Sequence, residues 1–146
     1  MSCVLRIIGK ELKINDLLNI KLETDSYWSK GEPRFSRKPE GEKHLDSGAI
    51  YLVSDAEFEE FDIQIKDAIE YLKENKNQIK SILSLPGLDG SSLDFGIVWR
   101  DVAVQSDYFP PELIKIAGEL GLGIELSQYP PSEEDDEGYQ RLIIAN

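Results

Sequence analysis

Residues 54–85, SDAEFEEFDIQIKDAIEYLKENKNQIKSILSL, decide how the rest of the chain is read. Phe58, Phe61, Ile65, Ala68, Ile69, Leu72, Ile79, Ile82 and Leu83 recur mostly at three- and four-residue steps and so share one helical face. Asp62, Lys66, Glu70, Lys73, Glu74, Lys76 and Lys80 fall mostly on the other side. Ser54-Asp55-Ala56-Glu57 has the spacing of a capping box, and Val53 and Phe58 stand where a hydrophobic staple would pair them. Leu85-Pro86-Gly87 ends the pattern, because proline disfavours helix in the residue before it. One long helix, starting at Ser54 and laid on a core, is therefore expected.

Upstream, Cys3-Val4-Leu5-Arg6-Ile7-Ile8-Gly9 is a β-branched run closed by glycine, which suits a strand buried on much of both faces. Asn15 can cap a short helix through about Ile20, with Ile14, Leu17 and Leu18 as its apolar face. Ser26 to Ser29 reads as a brief strand, and Lys30 to Gly41 as a long loop, since glycines and prolines interrupt both periodicities. Gly48 to Val53 returns to strand and feeds the long helix.

Downstream, Leu93, Phe95, Ile97 and Trp99 alternate with Ser92, Asp94, Gly96, Val98 and Arg100, as in a half-buried strand. Val102 to Tyr108 follows as a second strand, joined by a hairpin around Arg100-Asp101 that lacks the glycine or asparagine such turns favour. Pro111 suits the first position of a helix whose stripe is Leu113, Ile116, Ala117 and Leu120, with Gly121 as its left-handed stop. Gly123 to Tyr129 is a last alternating strand before Pro130-Pro131. The expected order is βαββαββαβ. It describes a single α+β domain over residues 1–131: an antiparallel or mixed β-sheet with about three helices packed mainly on one face. Residues 132–146 form an acidic tail in which Leu142-Ile143-Ile144 is either an edge strand or part of the tail.

Twenty-eight acidic residues against 16 basic ones give 146 residues a net charge of −12, with five acids in the run Glu133 to Glu137. Such a field repels nucleic acid and anionic membranes and attracts basic partners; it also keeps a protein soluble. A lone cysteine, Cys3, excludes an internal disulfide and fits a reducing compartment. With no apolar run of spanning length and no basic segment leading into one at the N-terminus, a cytoplasmic protein is expected.

Leu5-Arg6-Ile7-Ile8-Gly9, the short helix through Leu17-Leu18, Trp28-Ser29-Lys30-Gly31-Glu32-Pro33, and Pro111-Glu112-Leu113 through Leu120-Gly121 occur together in an order and spacing that carry a family resemblance. In these pieces the chain resembles the uncharacterised bacterial domain-of-unknown-function family numbered forty-two seventy-nine. The likeness spans most of the chain up to Tyr129 and leaves the acidic tail outside. It implies the fold and a bacterial origin, and it brings no catalytic residues with it.

Catalytic constellations are scarce. His44 and Cys3 are the only residues of their kinds, so a zinc site of four cysteines, or of two cysteines and two histidines, cannot form within one chain, and a Cys3–His44 dyad needs the fold to bring them together. Asp94, Asp101 and Asp107 would meet across the expected hairpin. The acidic run lacks the alternating ligands and central glycine of a calcium loop, and Gly31 and Gly41 lack phosphate-loop spacing. No catalytic residue, metal site or cofactor is assigned.

The segment from Trp28 to Lys43 remains as the candidate site. Lys30, Arg34, Arg37, Lys38 and Lys43 outnumber Glu32, Glu40 and Glu42 there, and Tyr27, Trp28 and Phe35 add flat apolar surface. Trp28, Lys30, Arg34, Phe35 and Arg37 would then contact an anion or a protein, since aromatics and arginines dominate binding hot spots. The other reading is a clasp: Trp28 and Phe35 pin the loop while its charges balance nearby acids. The expected function is a non-enzymatic protein-interaction domain, immunity- or inhibitor-like in its sharpest form, with a basic protein such as a toxin as partner. Two alternatives stand beside it: a ligand-binding protein or enzyme using residues 28–43 and the hairpin carboxylates, and a homo-oligomeric subunit.

Overall fold

In the computed structural model, which describes residues 1–131, the chain builds a five-stranded mixed sheet and four helices. β1 (Cys3–Gly9) is the central strand and runs antiparallel to both neighbours, β3 (Ser47–Ser54) and β4 (Gly90–Val98). β2 (Ser26–Trp28) pairs outside β3, and β5 (Gly123–Tyr129) lies parallel to β4, giving the order β2-β3-β1-β4-β5. A parallel pair needs a crossover, and α4 (Pro111–Leu120) supplies it, with Pro111 in its first turn and Gly121 closing it at φ 80°.

Alternation sorts the two faces of the sheet. Cys3, Leu5 and Ile7 on β1, Ala49, Tyr51 and Val53 on β3, and Leu93, Phe95 and Ile97 on β4 are buried in the core. Above them lie α2 (Phe61–Glu74) and α3 (Lys76–Leu83), which bury Phe61, Ile65, Ala68, Leu72, Ile79 and Ile82 as their spacing requires. Val4, Arg6 and Ile8 point the other way and stay partly exposed, so β1 is covered on one face, not on both.

The long helix differs from its sequence reading at two places. Ser54 ends β3 instead of capping a helix: its hydroxyl donates to Asp67 Oδ2 at 2.6 Å and accepts from the Ala56 amide. Residues 55–60 then run as a connector, with the Glu60 carboxylate accepting from the Glu57 amide, and the helix starts at Phe61. Phe58 is not stapled to Val53 but stacks on Tyr129 with ring centroids 5.0 Å apart. The second difference is a break at Asn75, whose backbone (φ −104°, ψ 17°) leaves the helical region while its side-chain amide donates to the Tyr71 carbonyl. Asparagine competes for backbone partners in this way, and the polar run Lys73 to Asn77 gives the core no apolar side chain to hold the turn.

The order is thus βαββααβαβ. α1 (Ile14–Leu18) takes Lys13, not Asn15, as its N-cap residue and buries Leu17 while Leu18 remains exposed. No strand forms over residues 102–108, and Trp99 lies outside β4 on the surface. Both sides of β4 are already paired, to β1 and to β5, so β4 has no free edge for the expected hairpin partner. Among the described residues no helix is long and apolar enough to cross a membrane. The acidic run and Leu142-Ile143-Ile144 lie outside the described residues.

Candidate functional site

Trp28 sits at the end of β2, donates from Nε1 to Asp46 Oδ1 at 3.0 Å, and stacks on His44. Its ring covers Gly48, where a Cβ would collide with it. Beyond Trp28 the chain leaves the sheet and returns as a paired arm. The Gly31 amide donates to the His44 carbonyl, the His44 amide to Glu32, and the Arg34 amide to Glu42. Pro33 and Lys43 form an isolated bridge between the two limbs. At the tip, the Lys38 amide closes on the Phe35 carbonyl and the Gly41 amide on Lys38. The glycines and prolines that hid this pairing in the sequence are the reason it is too irregular for a regular strand.

The two readings of this segment divide by residue. Trp28 belongs to the clasp. Lys30 pairs with Glu11 at 3.0 Å and Arg34 with Glu42 at 3.2 Å, both exposed pairs of the kind that contribute about 0–1 kcal/mol. Phe35 is 65% exposed, and Arg37 makes no ion pair among the described residues. Phe35, Arg37 and Lys38 are therefore displayed at the tip.

The uncovered face of the sheet carries a polar network that the sequence did not single out. Arg6 Nη2 donates to Asp94 Oδ2 at 2.8 Å, Ser127 Oγ donates to Asp94 Oδ1 at 2.6 Å, and Glu125 lies 3.5 Å from Arg6. Val4, Ile50, Phe58 and Tyr129 line the shallow cleft beside it. Both Asp94 oxygens are engaged, which holds the carboxylate in place. The one signal in the sequence was Arg6 itself, a lone charge at an alternating position of an apolar strand. Asp94, Asp101 and Asp107 do not converge: Asp94 bonds to Arg6 and Ser127, Asp107 to Arg100 and Gln105, and Asp101 stays exposed. Cys3 and His44 form no dyad either. Cys3 is fully buried in β1, where desolvation, with Asp94 and Asp67 adding to it, pushes its thiol pKa well up, whereas His44 stacks on Trp28 at the base of the arm.

Residues 99–109, expected to hold a hairpin turn and a strand over 102–108, instead form a loop tied together by polar side chains, with its large apolar side chains exposed. The Trp99 amide donates to the Tyr129 carbonyl at 2.7 Å, and Phe109 packs edge-on against Phe61 and Phe95, which fixes both ends. Between them the Arg100 amide donates to Gln105 Oε1, Arg100 Nη2 donates to the Ser106 carbonyl and to Asp107 Oδ1, and Gln105 Nε2 donates to the Val98 carbonyl and Asp107 Oδ2. The Asp107 side chain is only 5% exposed. Trp99 (63%), Val104 (77%) and Tyr108 (74%) are left facing solvent together with Val102. Glu59, Glu60, Asp62 and Ile63, from the connector and first turn of α2, border Tyr108 across a shallow depression.

Comparison with family models, curated proteins and solved structures finds no match to the chain.

Proposed function

We propose that the chain is a non-enzymatic protein-interaction domain whose docking surface is the 99–109 loop. The observation that carries this reading is that loop's construction. Enclosing the Asp107 side chain with Arg100 and Gln105 while leaving Trp99, Val102, Val104 and Tyr108 in water is unfavourable for the free monomer, and it becomes favourable when a second surface covers the apolar side chains. Tryptophan and tyrosine are the residues that concentrate binding energy at interfaces. Glu59, Glu60 and Asp62 beside the loop, on a chain of net charge −12, suit a partner that sets cationic side chains around an apolar element. In its sharpest form the domain is immunity- or inhibitor-like and neutralises a basic protein such as a toxin by covering it. A bacterial, cytoplasmic setting is the one that the family resemblance and the single cysteine favour.

The test is affinity capture from the native cell with two baits, the wild-type chain and Val104→Ser/Tyr108→Ser. The reading requires a basic protein that the wild type retains, that salt releases, and that the loop variant fails to hold. Retention of the same proteins by both baits would sink it.

A second reading takes the cleft beside Arg6 and Asp94 as a small-ligand site, and the wall of Val4, Ile50, Phe58 and Tyr129 favours it. It requires a ligand whose binding is lost in Arg6→Ala and unaffected in Tyr108→Ser.

A further inference from the structure

The tip of the arm carries the chemistry just assigned to the partner. Arg37 and Lys38, with Arg34 paired to Glu42 beside them, set cations around an exposed Phe35 in a protein whose net charge is −12. The surface at Tyr108 is its complement: Ile63 and Tyr108 share a depression with Glu59, Glu60 and Asp62, and the Arg100 that also lines it is paired with Asp107. None of those three carboxylates is in an ion pair among the described residues.

The topology keeps the two apart within one molecule. Ile8 pairs with Gly48 and with Gly90, so the start of β3, where the arm joins, lies at the Gly9 end of β1. Cys3 pairs with Ser54 and with Phe95, so the end of β4 and the approach to α2 lie at the opposite end. The sheet separates them by the length of β1, about 20 Å at the usual strand rise.

We propose that the arm tip of one copy of this chain docks on the 99–109 surface of a second copy, so that self-association and partner binding compete for the same site. The proposal rests on the reading of that surface as a protein-docking site. Phe35 would cover Tyr108 and Ile63 while Arg37 and Lys38 face Glu59, Glu60 and Asp62. Two different patches at opposite ends of the molecule can meet reciprocally in an antiparallel two-fold dimer or head-to-tail in a ring or filament. Repulsion between the acidic bodies keeps the contact weak, which leaves the surface open to displacement by a partner.

Sedimentation velocity on the full chain across a wide range of concentration tests this, with two charge reversals, Arg37→Glu/Lys38→Glu on the arm and Glu59→Lys/Asp62→Lys at the surface. The wild type should associate as concentration rises. Each reversed variant alone should remain a monomer with an unchanged circular dichroism spectrum, because like charges then meet. An equimolar mixture of the two should associate again. A wild type that is monomeric throughout, a reversed variant that still associates, or a mixture that does not, overturns the proposal. The arm-reversed variant should still capture the basic partner. If it does so while the wild type never self-associates, the self-docking falls and the docking surface stands; if Val104→Ser/Tyr108→Ser captures like wild type, it is the docking surface that falls.

Discussion

Arg100 Nη2 lies 2.9 Å from Asp107 Oδ1 within a loop whose large apolar side chains, Trp99, Val104 and Tyr108, are exposed. Because Asp107 also accepts from Gln105, and Gln105 in turn accepts from the Arg100 amide, the three side chains act as one clasp.

Replacing Asp107 with Ala removes an acceptor that two donors share and should cost about 1–3 kcal/mol, toward the low end because Arg100 can turn to water. Urea denaturation monitored by circular dichroism measures the loss, and limited proteolysis should show new cleavage between Trp99 and Phe109. A variant as stable and as resistant as wild type would mean that the loop does not depend on the clasp.

Ile65 is buried in α2 among residues that pack on Leu5, Leu93 and Phe95. Ile65→Ala should cost about 2–5 kcal/mol from lost transfer energy and the cavity left behind. A change within about 0.5 kcal/mol, the scale of surface substitutions, would place Ile65 outside the core.

Arg34→Ala/Arg37→Ala should leave stability within about 0.5 kcal/mol of wild type, since the Arg34–Glu42 pair is exposed and Arg37 is unpaired among the described residues. Unfolding of the double variant would return both arginines to a structural role in the arm.

Burial raises the pKa of Cys3 above its ordinary 9.0 and those of Tyr51 and Tyr71 above 10.0. Above those ordinary values the unfolded chain loses protons that the folded chain keeps, so folding stability must fall as pH rises through 9.0 and fall faster beyond 10.0. The urea midpoint followed with pH reads this directly, and Cys3→Ala should remove the earlier part of the decline. A midpoint that stays level past 10.0 would contradict the burial of these groups.

How far the sequence carries depends on whether a residue's partners are close along the chain. The helical face from Phe61 to Ile82 and the alternation of Leu93, Phe95 and Ile97 were legible because each is set by its own period. The Ser54 cap was not, because a remote Asp67 takes the hydroxyl that the motif assigns to the helix start. Val102 to Tyr108 has the composition of a strand, yet a strand also needs a free edge, and β4 offers none. Of the candidate site, the cationic tip with Phe35 was legible from composition. Arg6, Asp94 and Ser127 were not, since they meet only after β1, β4 and β5 are aligned.

The central claim, that the 99–109 loop is a docking surface, is tested most directly by photo-crosslinking in the native cell. A benzophenone side chain replaces Val104 in one version of the chain and Lys80, on the exposed side of α3, in another. The account requires a covalent adduct between the Val104 probe and a basic protein that is missing from the Lys80 control. No adduct at Val104, or the same adducts from both positions, would contradict it.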